Sequence, residues 1–103
     1  MMTKTLCADG HTLNVEKRTL RNGRGNHHLT PLECRLLYAL MRRPGRVVTR
    51  KSLMKEVWDT DYVGDTRTLD VHICWLRKKL EEDPHRPVYL RTVRGVGYRF
   101  GAS

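Results

Sequence analysis

One stretch of the chain restricts its fold more than any other, the run from residue 65 or 66 to Glu82. Four apolar side chains recur in it at intervals of three or four residues: Leu69, Ile73, Leu76 and Leu80. At 100° per residue they fall within about 40° of arc, which predicts an amphipathic helix with one buried face. Asp83-Pro84 predicts its end. A chain of 103 residues has room for one hydrophobic core on which such a helix can pack.

The opposite face of this helix carries a different set of side chains: Arg67, Val71, Cys74 and Lys78, flanked by Thr68 and Trp75 on one side and by Asp70 and Arg77 on the other. A helix of this width fits the major groove of B-form DNA, where side chains contact base edges. A solvated charged face is the alternative, and it describes most amphipathic helices. Val71 and Trp75 favour DNA contact, because a merely solvated helix rarely exposes large apolar groups. They either contact a ligand or pack under another element, and the helical angles predict that Trp75 lies away from the core.

Two shorter helices precede this one. Thr30-Pro31-Leu32-Glu33 is a capping box with proline at the first helical position, and it predicts a helix of about twelve residues that ends at Pro44-Gly45. Val47-Val48 is predicted to be a short extended link, after which Thr49 caps a second helix ending near Trp58. The segment 59–65 lacks a helical stripe and is predicted to be a loop.

The two ends of the chain have the pattern of β-structure. Between Thr5 and Leu29, Asp9-Gly10 and Asn22-Gly23 are typical of two-residue hairpin turns, so we predict a small antiparallel meander. At the other end, strands 88–93 and 97–100 are predicted to form a hairpin. The order sheet, three helices, hairpin defines an α+β domain.

The tip of the C-terminal hairpin is basic. Arg94 lies in the tight turn 94–97, and Arg91 and Arg99 lie on the strands. An arginine inserted into a narrow minor groove gains from the negative potential there, and glycines let the backbone come close. Alone, this is an edge hairpin that carries charges. A helix suited to the major groove followed at once by a basic hairpin is the order of a winged helix.

The overall charge supports an anionic partner. Lys and Arg number 20 against 11 Asp and Glu, for a net charge of +9, and arginine pairs well with phosphate oxygens and guanine edges. The cysteines are three, an odd number and widely spaced, which favours reduced thiols in the cytoplasm. No apolar stretch is long enough to cross a bilayer and no export signal is present, so we expect no membrane contact.

Chemistry-bearing motifs are few. His72 and Cys74 point to different faces of a helix and no paired metal-ligand spacing occurs, so no metal site is expected. Phosphate-loop, nucleophile-elbow and dinucleotide motifs are missing, and Glu81-Glu82-Asp83 is interpreted as a solvated surface. We therefore expect neither an enzyme nor a cofactor. The acidic loop 59–65 is expected to face a protein or water rather than phosphate.

From Leu29 to Phe100 the sequence resembles the effector domain of the OmpR/PhoB family of bacterial two-component response regulators. The resemblance rests on four segments: Leu29 to Glu33, Arg46 to Arg50 with Leu53 and Val57-Trp58, Thr68 to Ile73 with Leu76-Arg77-Lys78, and Arg91 to Phe100. It implies a winged helix-turn-helix with an N-terminal antiparallel sheet, three helices and a C-terminal hairpin wing, in one domain divided at 1–29, 30–82 and 83–103.

The resemblance also implies partners and site residues. The partners are double-stranded promoter DNA with tandem direct-repeat sites, a second copy bound head to tail, and RNA polymerase, which the loop would face through Asp59, Asp61 and Asp65. Contacts with DNA are implied for Trp58, Arg67, Thr68, His72 and Arg77 near phosphates, for Cys74 and Trp75 near bases, and for Thr92, Arg94 and Tyr98 in the wing. Val71 and Lys78 join this set from the exposed helix face.

The chain departs from some family members in two ways. Cys74-Trp75 replaces a pair of arginines, so guanine readout there is expected to give way to contact with thymine methyl groups or sugars. The phosphoacceptor receiver domain, through which a sensor histidine kinase would act, is absent, and the Met1-Met2 start favours an excised C-terminal half. The rival interpretation is a basic protein-interaction or RNA-binding module without sequence-specific DNA readout.

Overall fold

The computed structural model describes residues 5–60 and 66–101 and has the predicted α+β architecture. Its strands are β1 (Thr5–Ala8), β2 (His11–Asn14), β3 (Thr19–Asn22), β4 (Gly25–His28), β5 (Val47–Thr49), β6 (Leu90–Val93) and β7 (Gly97–Phe100). Its helices are α1 (Pro31–Met41), α2 (Arg50–Trp58) and α3 (Arg67–Leu80). The predicted sheet, helices and C-terminal hairpin are therefore confirmed.

Strands β1 to β4 form an antiparallel sheet in chain order, which is the predicted meander. Asp9 and Gly10 make the first turn, with φ of 50° and 82° at the two central positions. The third turn was predicted one residue too early: Asn22 pairs with Gly25, so the turn residues are Gly23 and Arg24. The cause is the Asn22 side chain, whose Oδ1 accepts from the Arg24 backbone N–H at 2.9 Å and so forms its own Asx turn.

Helix α1 begins with the predicted capping box. The Thr30 hydroxyl accepts from the Glu33 backbone N–H at 3.2 Å, and the Glu33 carboxylate accepts from the Thr30 N–H at 2.8 Å. Helix α2 is capped by Thr49, as predicted. Helix α3 ends at Leu80, earlier than the predicted Glu82, because Glu81 has an extended backbone and turns its carboxylate into the fold.

The second sheet has the strand order β5-β7-β6, so the predicted link at Val47-Val48 is an edge strand of the wing. Gly97 allows this close approach, since a Cβ at that position would lie 2.0 Å from the Val48 backbone oxygen. Strand β6 begins at Leu90, two residues later than predicted. The N–H groups of Val88 and Tyr89 donate to the Glu81 carboxylate and make no strand pairing.

The core lies between the two sheets and the helices. The predicted stripe of α3 is buried in it, as are Leu13 and Leu20 of the first sheet, several side chains of α1 and Phe100 of the wing. Over the ranges 5–60 and 66–101, no helix is long and apolar enough to span a membrane. Within the same ranges, no group of three or more histidine, cysteine or acidic side chains could hold a metal ion.

Candidate nucleic-acid interface

The outward face of α3 is open to solvent. Val71 and Trp75 are 43% and 44% exposed, and they are flanked by exposed polar or thiol-bearing side chains: Arg67, Thr68, Cys74 and Lys78. The prediction that Trp75 lies outside the core is confirmed. Apolar groups with cations on both sides form a surface that can contact both base edges and phosphates of a duplex.

Trp75 is supported from beneath by His72. The His72 ring centroid lies 4.9 Å from that of Trp75, with the rings tilted at 54°, and 5.2 Å from that of Trp58, with the rings edge-on at 80°, so the histidine contacts both indoles. Its Nδ1 donates to the Thr68 carbonyl at 2.8 Å, because a carbonyl can only accept. The family resemblance implied a position near phosphates for His72; in the structure its side chain is 8% exposed and its ring contacts Trp75. Trp58 is partly buried and packs against the core.

The wing tip is also open, although not every predicted wing residue faces outward. Thr92 and Arg94 are exposed. Tyr98 is 4% exposed, and its hydroxyl donates to Asp70 Oδ1 at 2.6 Å, so it faces α3 and not the open surface. Burial, together with this hydrogen bond, raises the pKa of Tyr98 to about 12 and keeps the hydroxyl protonated. The hydroxyl is therefore bonded within the fold.

Arg77 joins α3 to the wing. Its Nε donates to the Leu90 carbonyl at 3.0 Å, and a terminal nitrogen donates to the Thr92 hydroxyl at 2.9 Å. The guanidinium carbon also lies 5.9 Å from the centre of the Tyr98 ring. The family resemblance implied a position near phosphates for Arg77; in the structure these donors bind the wing. The helix and the hairpin are therefore adjacent and bonded.

A second link was missed from the sequence. Arg50, at the start of α2, donates to Asp70 Oδ1 at 2.7 Å and to the Thr66 hydroxyl at 3.0 Å. Its other terminal nitrogen lies 3.3 Å from the Tyr98 hydroxyl. The hydrogen bond to Asp70 raises the pKa of Arg50 above its ordinary value. No local pattern joins residues this far apart, since Arg50 and Tyr98 are 48 positions apart in the chain.

The far end of α3 is held by buried groups. Lys79 Nζ donates to the Glu33 carboxylate at 2.9 Å and to the His28 carbonyl at 2.8 Å, and Asn22 Nδ2 donates to the Lys79 carbonyl at 3.0 Å. Glu81, interpreted from the sequence as solvated, is 1% exposed. Its carboxylate accepts from the backbone N–H groups of three successive residues: Val88, Tyr89 and Leu90. A buried carboxylate satisfied by backbone donors fixes the start of the wing.

The acidic loop is described only at its beginning. Asp59 ends α2 in a left-handed conformation with φ of 52°, is exposed, and lies 3.5 Å from Lys55 Nζ. Asp61 and Asp65 lie outside the described residues. The expectation that this loop faces RNA polymerase therefore rests on the sequence.

Three helices followed by a β-hairpin bonded to the last helix define a winged helix-turn-helix domain. Similarity to known proteins identifies the family within this class. Residues 24–100 match the family described as "Transcriptional regulatory protein, C terminal". The chain belongs to this family, the DNA-binding effector domains of OmpR/PhoB-type transcriptional regulators, which are not enzymes.

Curated relatives agree with this assignment. The chain is 53% identical over 73 residues to SphR of Synechococcus elongatus, an alkaline phosphatase synthesis transcriptional regulatory protein, which covers 71% of this chain and 28% of the relative. It is 49% identical over 87 residues to the sensory transduction protein RegX3 of Mycobacterium tuberculosis, covering 84% of this chain and 38% of the relative. The chain therefore spans about a third of the length of these relatives.

Solved structures have the same fold. The DNA-binding domain of RstA from Klebsiella pneumoniae, in complex with the RstA box, is 31% identical with a TM-score of 0.85, covering 98% of this chain and 100% of that one. The DNA-binding domain of CpxR from E. coli is 33% identical with a TM-score of 0.81 and the same coverage. DrrB of Thermotoga maritima, an OmpR/PhoB homologue, is 30% identical with a TM-score of 0.82, covering 96% of this chain and 45% of that one.

Proposed function

We propose that this domain binds specific double-stranded DNA sites with the outer face of α3 in the major groove and Arg94 in the minor groove. One observation carries the proposal: the exposed apolar and cationic face of α3 lies beside a wing that Arg77 bonds directly to the helix. The RstA domain, similar in fold, was solved on DNA. The net charge of +9 supplies the attraction to phosphate that such binding needs.

The proposed contacts divide by chemistry. Phosphates are bound by polar and cationic groups: Trp58, Arg67, Thr68, Lys78 and Thr92. Bases are contacted in the major groove by Val71, Cys74 and Trp75. In this proposal His72, Arg77 and Tyr98 act by holding the contacting groups, because their polar atoms are bonded within the fold.

The base readout is expected to favour thymine. Cys74 and Trp75 offer no bidentate donor for guanine, and a flat apolar indole packed against His72 complements a thymine methyl group or a sugar. Because the indole is held by the ring beneath it, its contact is expected to be more selective than that of a flexible side chain.

The larger protein has further proposed partners. We infer that the domain acts as the effector half of a cytoplasmic response regulator, with a receiver domain that a sensor histidine kinase phosphorylates. The relatives support this, since the matched region is about a third of their length. Two copies are proposed to bind tandem direct repeats head to tail, and the loop 59–65 is proposed to contact RNA polymerase.

The test of base reading is Trp75→Ala, with Val88→Ala as the control because Val88 is equally exposed, at 45%, on the segment before β6. Preferred sites are selected from a random duplex pool, and affinity is measured against salt. We expect Trp75→Ala to change the selected sequence and leave the slope of log affinity against log salt unchanged, whereas Val88→Ala changes neither. If Trp75→Ala selects the same DNA sequence as the wild type, the proposed base contact of Trp75 is wrong.

Competition between duplex DNA and duplex RNA separates the proposal from its rival. The major groove of RNA is too deep and narrow for α3, so we expect DNA to compete far better. Equal competition would favour a basic RNA-binding or protein-interaction module.

The polymerase contact has its own test, in which Asp59, Asp61 and Asp65 are changed to Asn together. DNA affinity is expected to stay equal or rise, because negative charge is removed, while activation in a reconstituted transcription assay falls. Glu82→Gln, an exposed acidic residue beyond α3, is the matched control. Loss of DNA affinity in the triple variant would place the loop on the DNA side.

A further inference from the structure

Asp70 connects three elements through one carboxylate. It lies one turn into α3, and its Oδ1 accepts from Arg50 of α2 at 2.7 Å and from the Tyr98 hydroxyl of β7 at 2.6 Å. Both bonds are short, as expected where an acceptor is ionised. The Asp70 side chain is 45% exposed, so the cluster lies at the edge of the proposed DNA-binding face and is not sealed in the core.

Arg50 extends this connection to the wing turn. Its backbone N–H donates to the Val96 carbonyl at 3.3 Å, and its guanidinium carbon lies 5.2 Å from the centre of the Tyr98 ring. Val96 is two residues from Arg94. The start of α2, the first turn of α3 and the wing tip are thus bonded through Asp70 and Arg50.

The chemistry of the cluster argues for a positioning role. A carboxylate at a surface that binds a polyanion weakens binding unless a cation neutralises it, and Arg50 does so here. The Tyr98 hydroxyl remains a donor over the whole range of ordinary pH, since its pKa is about 12. Arg77 holds β6 at Leu90 and Thr92. Asp70 holds β7 at Tyr98, which pairs with Thr92, and the turn itself is bonded at Val96 by the Arg50 N–H.

We propose that Asp70 is a positioning residue that sets the wing tip relative to α3, so that Arg94 and Trp75 can contact the same duplex. Asp70 itself touches no DNA. The proposal rests on the proposed function for its consequence, but the positioning itself can be measured in the free protein.

The first test measures order at the wing tip without DNA. Backbone ¹⁵N order parameters of residues 94–96 are compared in the wild type, Asp70→Ala and Asp70→Asn. We expect a clear decrease in Asp70→Ala toward the range of flexible loops, and a smaller one in Asp70→Asn, whose amide oxygen still accepts from Tyr98. Glu56→Ala is the matched control, because its ion pairs with Arg42 and Arg43 lie between α1 and α2. Unchanged order in Asp70→Ala overturns the proposal.

The second test is a double-mutant cycle with Arg94→Ala, read out as affinity for the selected duplex. If Asp70 acts by placing Arg94, Asp70→Ala and Arg94→Ala each weaken binding about tenfold, and the double variant is little weaker than either. Glu56→Ala is expected to leave the affinity unchanged in both backgrounds. Independent effects, about a hundredfold in the double variant, contradict the positioning role.

Failure of the proposed minor-groove contact can be distinguished from failure of the positioning role of Asp70. If Arg94→Ala alone binds like the wild type, the proposed minor-groove contact is wrong, and the order parameters still decide the role of Asp70. If Asp70→Ala does not fold, Tyr98→Phe serves instead, because it keeps the buried ring and removes only the hydroxyl that bonds Asp70. A wing tip as ordered in that variant as in the wild type then overturns the proposal.

Discussion

The two ends of α3 are held by opposite means. At the C-terminal end, Glu33 and Glu81 are 2% and 1% exposed and are satisfied by Lys79 or by backbone N–H groups. At the N-terminal end, the side chains of Arg50 and Asp70 are 35% and 45% exposed while bonded to each other. One end is anchored in the protein interior, and the other is held by bonds that water can reach.

The difference has an energetic consequence. Removing one partner from a buried polar network leaves the other partner unsatisfied, which costs about 1 to 3 kcal/mol for each group. Ion pairs that reach solvent contribute about 0 to 1 kcal/mol, because water replaces the lost partner. The anchored end therefore supplies stability, while the other end adjusts the wing against the helix at small cost.

The largest effect is expected for Glu81→Ala. The substitution leaves three backbone N–H groups without their acceptor: those of Val88, Tyr89 and Leu90. We expect the free energy of unfolding, measured by urea titration, to fall by about 3 kcal/mol or more. Glu82→Ala is the control, since the adjacent side chain is exposed, and it is expected to stay within about 0.5 kcal/mol of the wild type. Similar losses in the two variants would contradict the anchoring role of Glu81.

A somewhat smaller effect is expected where the wing approaches β5. In Gly97→Ala the new Cβ would lie 2.0 Å from the Val48 oxygen and 2.9 Å from the Thr49 Cα, both backbone atoms, so the strands must separate. We expect a loss of about 1 to 3 kcal/mol in thermal or urea unfolding. Gly23→Ala is the matched control, because that Cβ would meet open space and needs no left-handed backbone. If Gly97→Ala proves as stable as Gly23→Ala, the pairing of β5 with β7 is loose enough to accommodate the added Cβ.

A pH dependence is expected from His11, which lies near the anchored end: its Nδ1 is 3.2 Å from Nδ2 of Asn22, the group that also donates to the Lys79 carbonyl. Burial lowers the pKa of His11 below its ordinary 6.5, although Glu81 and Asp9 act in the opposite direction. The unfolded chain therefore binds the proton first as pH falls through 6.5, and stability declines below that pH, by at most about 1.4 kcal/mol per pH unit. Urea titrations at successive pH values should show a shallower decline in His11→Asn.

Part of the decline should remain in that variant, since burial also lowers the pKa of His27, with Arg24 and Lys79 adding to the shift. The double variant His11→Asn/His27→Asn should therefore show the smallest change of stability with pH among the three proteins over this range. An equally steep decline in His11→Asn and the wild type would assign the pH dependence to other groups.

The sequence predicted what local patterns determine. The capping box at Thr30 and the apolar stripe of α3 are set by spacing within one or two helical turns, and both were confirmed. The exposure of Trp75 followed from the same periodicity. The order of elements was enough for the fold class, and the motifs between Leu29 and Phe100 were enough for the family.

What the sequence did not show are partners far apart in the chain. Glu81 follows a helix and precedes another acidic residue, so it resembled a solvated surface until the fold placed three N–H groups around it. Tyr98 and Asp70 are 28 positions apart, and their bond exists only because β7 packs beside α3. Polar side chains at such junctions have the composition of contact residues, and only tertiary structure tells which ones are already bonded.

The smallest effect is expected at the N-terminal end of α3, where Arg50 and Asp70 are bonded, in the variant Tyr98→Phe. The ring stays buried, while Asp70 loses one of two donors at a site that water reaches, so we expect a loss of about 0.5 to 1.5 kcal/mol in urea unfolding. The difference from the wild type should be constant between pH 6 and 9, because the hydroxyl, with a pKa of about 12, stays protonated in that range. A loss as large as that of Glu81→Ala would show that both ends of α3 are anchored alike, and the wing could then not adjust independently of the core.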